Sequence, residues 1–438
     1  MIFVILLVGF VLRVISLNQS LWLDEATSAL VARMSLTDIF TKFLPADFHP
    51  PLYYIVLKYW VNVFGSSEIS LRIPSTIFGI LTIYFVFLIT KKLFDSKTGY
   101  LASLLLATSG LAVYYSQEAR MYSMAAFLVS LLVYFYISKK WVGFTTILVL
   151  VAMTDYVSLF VIPIFWFASH KDWKKLAVAH VPMAIAFTLF LPIFLKQISA
   201  GFAQKGTAWW NILGTSSVKN VLLIPIKFIF GRISFENKIM YFIIAFAAAL
   251  IFGIALFFAK KASKIIWYWL SIPIILGVLM GFKIPTLSYF RFLFCLPAFY
   301  ILVARGIEKS NKYKNFLLIS VFIINILSTG YYLFNKKFQR EDWRLAAKTI
   351  GGSEIILPGN SQKEALVYYG KGNQIETVYD ISPSQRDLWL SRYVWEIVDP
   401  ADSTRKKIEN LGYNKTAEYD FNGVVFFRYS KTLYASRY

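Results

Sequence analysis

Cysteine and charge are what this sequence has least of. The single cysteine, Cys295, lies in an apolar segment, so neither a disulfide framework nor a CxxC metal site can form within the chain. Charged residues make up only 16% of the 438 positions, where about a quarter is usual in soluble domains. The P-loop, GxGxxG, HExxH and GxSxG signatures are all missing, which argues against nucleotide hydrolysis on this chain. No repeat at roughly 20–50 residues and no low-complexity tract is found. No pair of matched broken spans marks a symmetric transporter. Residues 1–17 are apolar but carry neither a basic leader nor a small-residue cleavage site, and so read as an uncleaved first span.

What is abundant is apolar surface. Hydrophobic residues reach 58% and run in long blocks, which excludes a disordered chain, a collagen, a coiled coil and an ordinary soluble enzyme. The composition predicts an α-helical polytopic membrane protein. Eleven apolar blocks fall at about 1–17, 70–90, 99–113, 121–137, 142–154, 157–169, 176–195, 239–258, 265–282, 289–304 and 315–334. A bilayer core takes about 20 helical residues, so 142–154 and 157–169 are short and read as a tilted or re-entrant hairpin.

Basic residues outnumber acidic ones by 45 to 24. That excess suggests nucleic acid, but its position argues otherwise. From Asn335 onward the net charge is only about +3, and the rest lies in short loops between apolar blocks, as topology-setting lysines and arginines do. Five basic loops alternate with spans: Lys91, Lys92 and Lys97; Lys139 and Lys140; Lys171, Lys174 and Lys175; Lys260, Lys261 and Lys264; Arg305, Lys309, Lys312 and Lys314. The positive-inside rule makes these cytoplasmic, with the N-terminus inside and the chain after Phe334 outside.

That topology requires 52–64 not to cross. After Pro50-Pro51 it offers about 21 Å of helix, and its tyrosines and tryptophan prefer the interface. It reads as a helix lying on the outer surface. The expected organisation is then a membrane module over 1–334, with a first external loop at 18–69 containing interfacial helices and another at 196–238. A small extracytoplasmic α/β domain follows over 335–438. Within it, Ile355 to Leu357 and Val424 to Phe427 read as strands, Ser361 to Tyr369 and Ser403 to Leu411 as helices, and Asn422-Gly423 as a turn.

Several polar groups fall in the expected external loops. Asp24 and Glu25 follow the first span and suit activation of a hydroxyl, with pKa values raised by nearby hydrocarbon and mutual repulsion. Carboxylates in a first helical turn also simply complement the helix dipole. His49 precedes two prolines and reads as a ligand contact or as a plain turn. Glu118 and Arg120, between apolar helices, mark function or a self-satisfied pair. Lys283 and Arg291 flank a short loop beside Tyr289, and arginine suits bidentate phosphate contact; snorkelling to headgroups is the simpler reading. Arg13 reads as a snorkelling anchor. Asp155 reads first as a turn residue.

Taken in order, Leu23-Asp24-Glu25-Ala26, His49-Pro50-Pro51-Leu52-Tyr53-Tyr54, Leu71-Arg72-Ile73-Pro74-Ser75, the run Tyr114 to Tyr122 and Tyr289-Phe290-Arg291-Phe292-Leu293 resemble the GT-C glycosyltransferases. The likeness is to the branch of protein O-mannosyltransferases and the lipid A aminoarabinose transferase. Asp342-Trp343-Arg344 resembles the start of that family's external domain. The resemblance implies a polyprenyl-phosphate sugar as donor and an acceptor protein, lipid or glycan at the outer leaflet. It implies Asp24 as base with Glu25 beside it, and Arg291, Lys283 and Arg120 near the donor phosphate. His49, Glu118, Tyr122, Tyr289 and Asp155 are then the substrate-facing residues. Family members often carry His-Tyr where this chain has Asp155-Tyr156. A divalent metal on Asp24, Glu25 or Glu118 is permitted by the carboxylates without being required. The alternative from another class is a lipid-linked sugar flippase or exporter. That would need polar groups through mid-membrane, and the spans offer few. Nucleic acid is not an expected partner.

Overall fold

The computed structural model describes residues 1–168, 171–212, 214–359, 362–381 and 385–431. The chain divides into two units. The first comprises Met1–Leu17 and Met34–Phe338, the second Asn18–Arg33 and Gln339–Tyr438.

The first unit is helical. Among the described residues, five helices are long and apolar enough to cross a bilayer: Glu68–Leu93, Trp173–Ala203, Lys238–Phe258, Tyr289–Lys309 and Asn311–Phe334. Shorter apolar helices cover Ile2–Val14, Tyr122–Ile137, Trp141–Ala152, Val157–Ala168 and Lys264–Met280. The apolar block at 99–113 is broken into helices Ser96–Ala107 and Gly110–Ser116, with Ser109 Oγ capping the second through Ala112 N. A serine cap supplies an acceptor for an orphan helical N–H, so the chain stops and restarts there. Helices Glu68–Leu93 and Tyr289–Lys309 are largely buried, whereas Trp173–Ala203 exposes most of its apolar surface. Such a surface is stable in lipid and unstable in water.

Two internal devices fix the packing. Gly306 lets its helix press on Lys238–Phe258: a Cβ there would lie 1.7 Å from the Ala255 carbonyl oxygen. Small residues permit this close approach between membrane helices. Gln117 satisfies the end of the first helix. Its amide nitrogen donates to the carbonyls of Leu12, Arg13 and Ile15, and its oxygen accepts from Tyr332 Oη at 2.7 Å. Helix C-termini leave such carbonyls without intrahelical partners. Arg13 does not snorkel as its position suggested. It is buried, donating to Ser116 Oγ and to the carbonyls of Gly9 and Ala107, each at 3.0 Å.

The segment 52–64 is a helix, Leu52–Phe64, with Tyr53, Tyr54 and Leu57 buried and Tyr59, Val63 and Phe64 exposed. Its first N–H, that of Leu52, donates to Met153 O at 2.9 Å. Lys58 Nζ donates to Met34 O.

The second unit is built on a sheet of β1 (Glu354–Ile356), β2 (Ile375–Glu376), β3 (Asp387–Ser391), β4 (Asn414–Asp420) and β5 (Val425–Ser430), in the order β2-β1-β3-β5-β4. β1 runs parallel to β2 and β3, and β5 runs antiparallel to β3 and β4. Asn422 and Gly423 both take positive φ between β4 and β5, as a two-residue hairpin turn requires. Ile356, Leu388, Leu390, Ile408, Tyr413 and Tyr429 form the core. Helices cover Trp343–Ile350, Glu364–Tyr368 and Ser403–Asn410. Ser361, expected to open the second of these, lies outside the described residues, as does residue 169 at the end of the 157–169 block. The helix Leu23–Arg33 belongs to this unit. It packs on Glu364–Tyr368, and Tyr369 Oη accepts from Leu21 N at 2.9 Å.

Candidate active site

In the first unit, the run Tyr114 to Tyr122 links helix Gly110–Ser116 to helix Tyr122–Ile137. Glu118 and Arg120 within it are both buried. Tyr115 packs edge-on against Tyr114 and Tyr122, at 5.0 and 5.4 Å between ring centres. Phe290 joins Tyr122 at 5.2 Å and Tyr289 at 5.6 Å. These rings form an aromatic wall.

An arginine absent from the sequence expectations completes it. Arg232 lies over the Tyr114 ring at 4.6 Å, and its Nη1 donates to Tyr114 Oη. Gly231 places it there. With φ +67 and no Cβ, Gly231 lets the backbone press on Gly110 and Leu111, where a Cβ would meet main-chain atoms at 2.9 Å. Arg232 keeps part of its surface open to solvent. Burial acts to lower its pKa. Tyr114, Tyr289, Tyr115 and Glu118 outweigh that, so the net shift is upward and the guanidinium stays charged. Lys227 stands nearby and donates to Ile233 O at 3.0 Å. Burial first, and then Arg232, push its pKa down to about 8. A guanidinium on an aromatic wall, with a second cation nearby, suits an anionic ligand.

A second polar cluster of the same unit gathers three separate motifs. Asp47 accepts from Tyr54 Oη at 2.8 Å and faces His49 Nδ1 at 3.6 Å. Arg120 reaches Tyr54 Oη at 3.5 Å. Burial works to raise the Asp47 pKa, but His49 and, less strongly, Arg120 hold it below the usual carboxylate range. Gln197 ties the cluster to helix Trp173–Ala203. Its nitrogen donates to Leu44 O at 2.8 Å and His49 O at 3.0 Å, and its oxygen accepts from Tyr156 Oη. Asp155 accepts from Ser158 N at 2.9 Å and Ser158 Oγ at 2.7 Å, capping the turn Val157–Val161. Arg291 donates to Pro285 O at 2.7 Å, within its own loop, and Lys283 is exposed.

In the second unit, Asp24 and Glu25 open the helix Leu23–Arg33. Glu25 is fully buried, with Arg340 Nε 3.5 Å from its carboxylate. Asp24 is half-buried and near Glu364, whose pKa is raised by burial first and to a smaller degree by Asp24. Seven of the predicted residues thus fall into three groups: Glu118, Tyr122 and Tyr289 at the aromatic wall, His49 and Arg120 around Asp47, and Asp24 with Glu25 in the second unit; Asp155 caps its own turn, Arg291 bonds within its own loop and Lys283 is exposed. Among the described residues, no three Asp, Glu, His or Cys side chains come together as metal ligands.

A family profile of dolichyl-phosphate-mannose-protein mannosyltransferases matches residues 48–195. No curated protein matches the chain at a significant level. Among solved structures, ArnT from Cupriavidus metallidurans bound to undecaprenyl phosphate superposes with a TM-score of 0.55 at 12% identity, over 97% of this chain and 96% of that one. The oligosaccharyltransferase of Archaeoglobus fulgidus, in complex with zinc and sulfate, gives 0.51 at 13% identity, over 98% and 73%. The polytopic membrane character and the mixed tail agree with these likenesses. The chain accordingly has the fold of the GT-C glycosyltransferases, an integral-membrane architecture, and resembles their mannosyltransferase and ArnT members.

Proposed function

We propose that this protein is an inverting glycosyltransferase that moves a single sugar from a polyprenyl-phosphate donor to an acceptor at the outer face of the membrane. The observation that carries the reading is Arg232, held charged and solvent-accessible on the Tyr114–Tyr115–Tyr289 wall beside Glu118. The binding of undecaprenyl phosphate by ArnT supports the donor class.

In this reading Asp24 accepts the proton of the acceptor hydroxyl as its oxygen attacks the anomeric carbon. The bond from that carbon to the phosphate oxygen breaks, the configuration inverts, and polyprenyl phosphate departs. Arg232 takes the negative charge growing on the leaving phosphate. Lys283 and Arg291 are the further cations assigned to the donor. Glu25, paired with Arg340, holds the start of the helix that carries Asp24. Glu118 balances Arg232. His49, Tyr122, Tyr289 and Asp155 are assigned to substrate positioning. The five basic loops are placed on the cytoplasmic side and the sheet-bearing unit outside.

The test is transfer by the purified chain from a labelled polyprenyl-phosphate sugar to a peptide or lipid acceptor, with and without a chelator. Labelled product that disappears in Asp24→Asn supports the assignment. Full turnover by Asp24→Asn removes Asp24 from the mechanism. Movement of intact donor across vesicles with no product restores the exporter alternative.

A further inference from the structure

Lysine loops that are far apart in the sequence meet at one end of the first unit. There, a cleft of about 340 Å³ is walled by the rings of Tyr136, Phe167 and Tyr268, with Lys139, Ser263 and Lys264 at its edge. It has no residue in common with the aromatic wall around Arg232.

Two features show how the cations are held. Lys139 is in the left-handed region, with φ +56, where a residue with a side chain is uncommon and glycine is the usual choice. Its ammonium lies 5.2 Å from the Tyr136 ring centre and 5.7 Å from that of Trp141. Asp172 pairs with Lys139 and also, at 3.9 Å, with Lys175, whose ammonium is 5.9 Å from Trp141. One carboxylate therefore serves two lysines, and Lys264 adds a third cation at the rim. The lysines come from three of the five basic loops, at the ends of helices Tyr122–Ile137, Trp173–Ala203 and Lys264–Met280. Trp141 and Trp173 each open a helix, and tryptophans are enriched at headgroup depth.

We infer that this cleft binds an anionic phospholipid, its phosphate held by Lys139 and Lys264 and the start of its acyl chains laid on Tyr136, Phe167 and Tyr268. Charge complementarity selects the occupant. Among the described residues, Lys139, Lys175 and Lys264 stand against the carboxylate of Asp172, three aromatic rings line the walls, and basic pockets between membrane helices recognise anionic headgroups. The volume suits a glycerophosphate group and excludes a whole polyprenyl chain. This site does not depend on the transferase reading.

The full chain is purified into neutral detergent and its melting followed as phosphatidylglycerol, phosphatidylcholine or inorganic phosphate is added. The inference expects a saturable rise in melting temperature with phosphatidylglycerol and none with the other two. The double variant Lys139→Gly, Lys264→Gln keeps a backbone suited to position 139 and should weaken the phosphatidylglycerol response roughly thirtyfold. Lys91→Gln, Lys92→Gln should leave it unchanged. An equal response to phosphatidylcholine, or an undiminished response in the double variant, overturns the inference. A matching response to inorganic phosphate reassigns the cleft as a free-phosphate site and overturns it too. Should the double variant not fold, photoreactive phosphatidylglycerol on the unmodified chain decides the matter. Crosslinks within 136–139 and 263–268 support the site, and crosslinks confined to other segments refute it.

Discussion

Replacing Arg232 with alanine removes a guanidinium that the fold holds against the aromatic wall. Two separate losses follow. The leaving phosphate loses a preorganised cationic donor, and removal of such a donor typically costs about 10²–10³ in turnover. Tyr114 loses the cation over its ring at 4.6 Å, a contact of roughly 0.5–2 kcal/mol. Because the guanidinium is open to solvent, little packing is lost and melting should move by only a few degrees. Arg232→Lys keeps the charge but lacks the planar fork, so it should recover part of the rate, with a loss of about tenfold. The assay is the initial rate of sugar transfer at saturating acceptor, with donor concentration varied. Negative charge on the phosphate grows as the sugar leaves, so kcat should fall more than donor KM rises. Turnover of Arg232→Ala within about threefold of the unmodified chain, at unchanged melting, would falsify the phosphate assignment.

Gly306→Ala forces a methyl to 1.7 Å from the Ala255 carbonyl oxygen. Overpacking of this kind costs about 1–3 kcal/mol or more, so melting in detergent should drop clearly, and an unchanged transition would contradict the helix contact described. Gln197→Leu strips donors from Leu44 O and His49 O and the acceptor from Tyr156. Each buried group left unsatisfied costs about 1–3 kcal/mol, and hydrogen exchange should rise around residues 44–54; unaltered exchange there argues against the clasp. In the second unit, burial pushes the Asp399 carboxyl up, but Ser403 and the Thr404 N–H more than compensate and bring its pKa to about 2. A depressed folded-state pKa gives stability that is present above the unfolded value of about 3.9 and is lost as pH falls through about 2. Asp399→Asn should therefore flatten the acid dependence of exchange in helix Ser403–Asn410 across that window, and an identical pH profile would refute the cap.

Much of the tail was legible because its signals are local. Asn422-Gly423 dictates a hairpin whatever surrounds it, and the β-branched and aromatic run Val424 to Phe427 marks one arm. The partner arm, β4, is polar and mostly exposed, so no apolar period announces it. β3, Asp387 to Ser391, goes unread because it is identified by its neighbours on both sides and not by its own pattern. Among site residues, Glu118 and Arg120 stood out as charges between apolar blocks, which is a signal of cost. Arg232 carried no such mark. It lies in a loop that tolerates charge, and only the close approach at Gly231 brings it to Tyr114. Arg13 was misjudged for a related reason: snorkelling assumes lipid around a helix end, whereas Ser116 and Ala107 surround this one. The interfacial reading of 52–64 rested on length and tyrosine placement; the helix Leu52–Phe64 has that length, but it buries Tyr53 and Tyr54 inside the protein and exposes Tyr59.

The grouping of Asn18–Arg33 with Gln339–Tyr438 sets an order of events during synthesis. The helix bearing Asp24 leaves the ribosome early, and its packing partner Glu364–Tyr368 is still untranslated. At roughly 5–20 residues per second, the interval between the two lasts on the order of half a minute. Throughout it, Glu25 has no Arg340 to pair with. Ordering of the acidic pair is thereby tied to synthesis of the segment that contains Arg340 and Glu364–Tyr368, and a product terminated before that segment carries the pair without the scaffold that orders it.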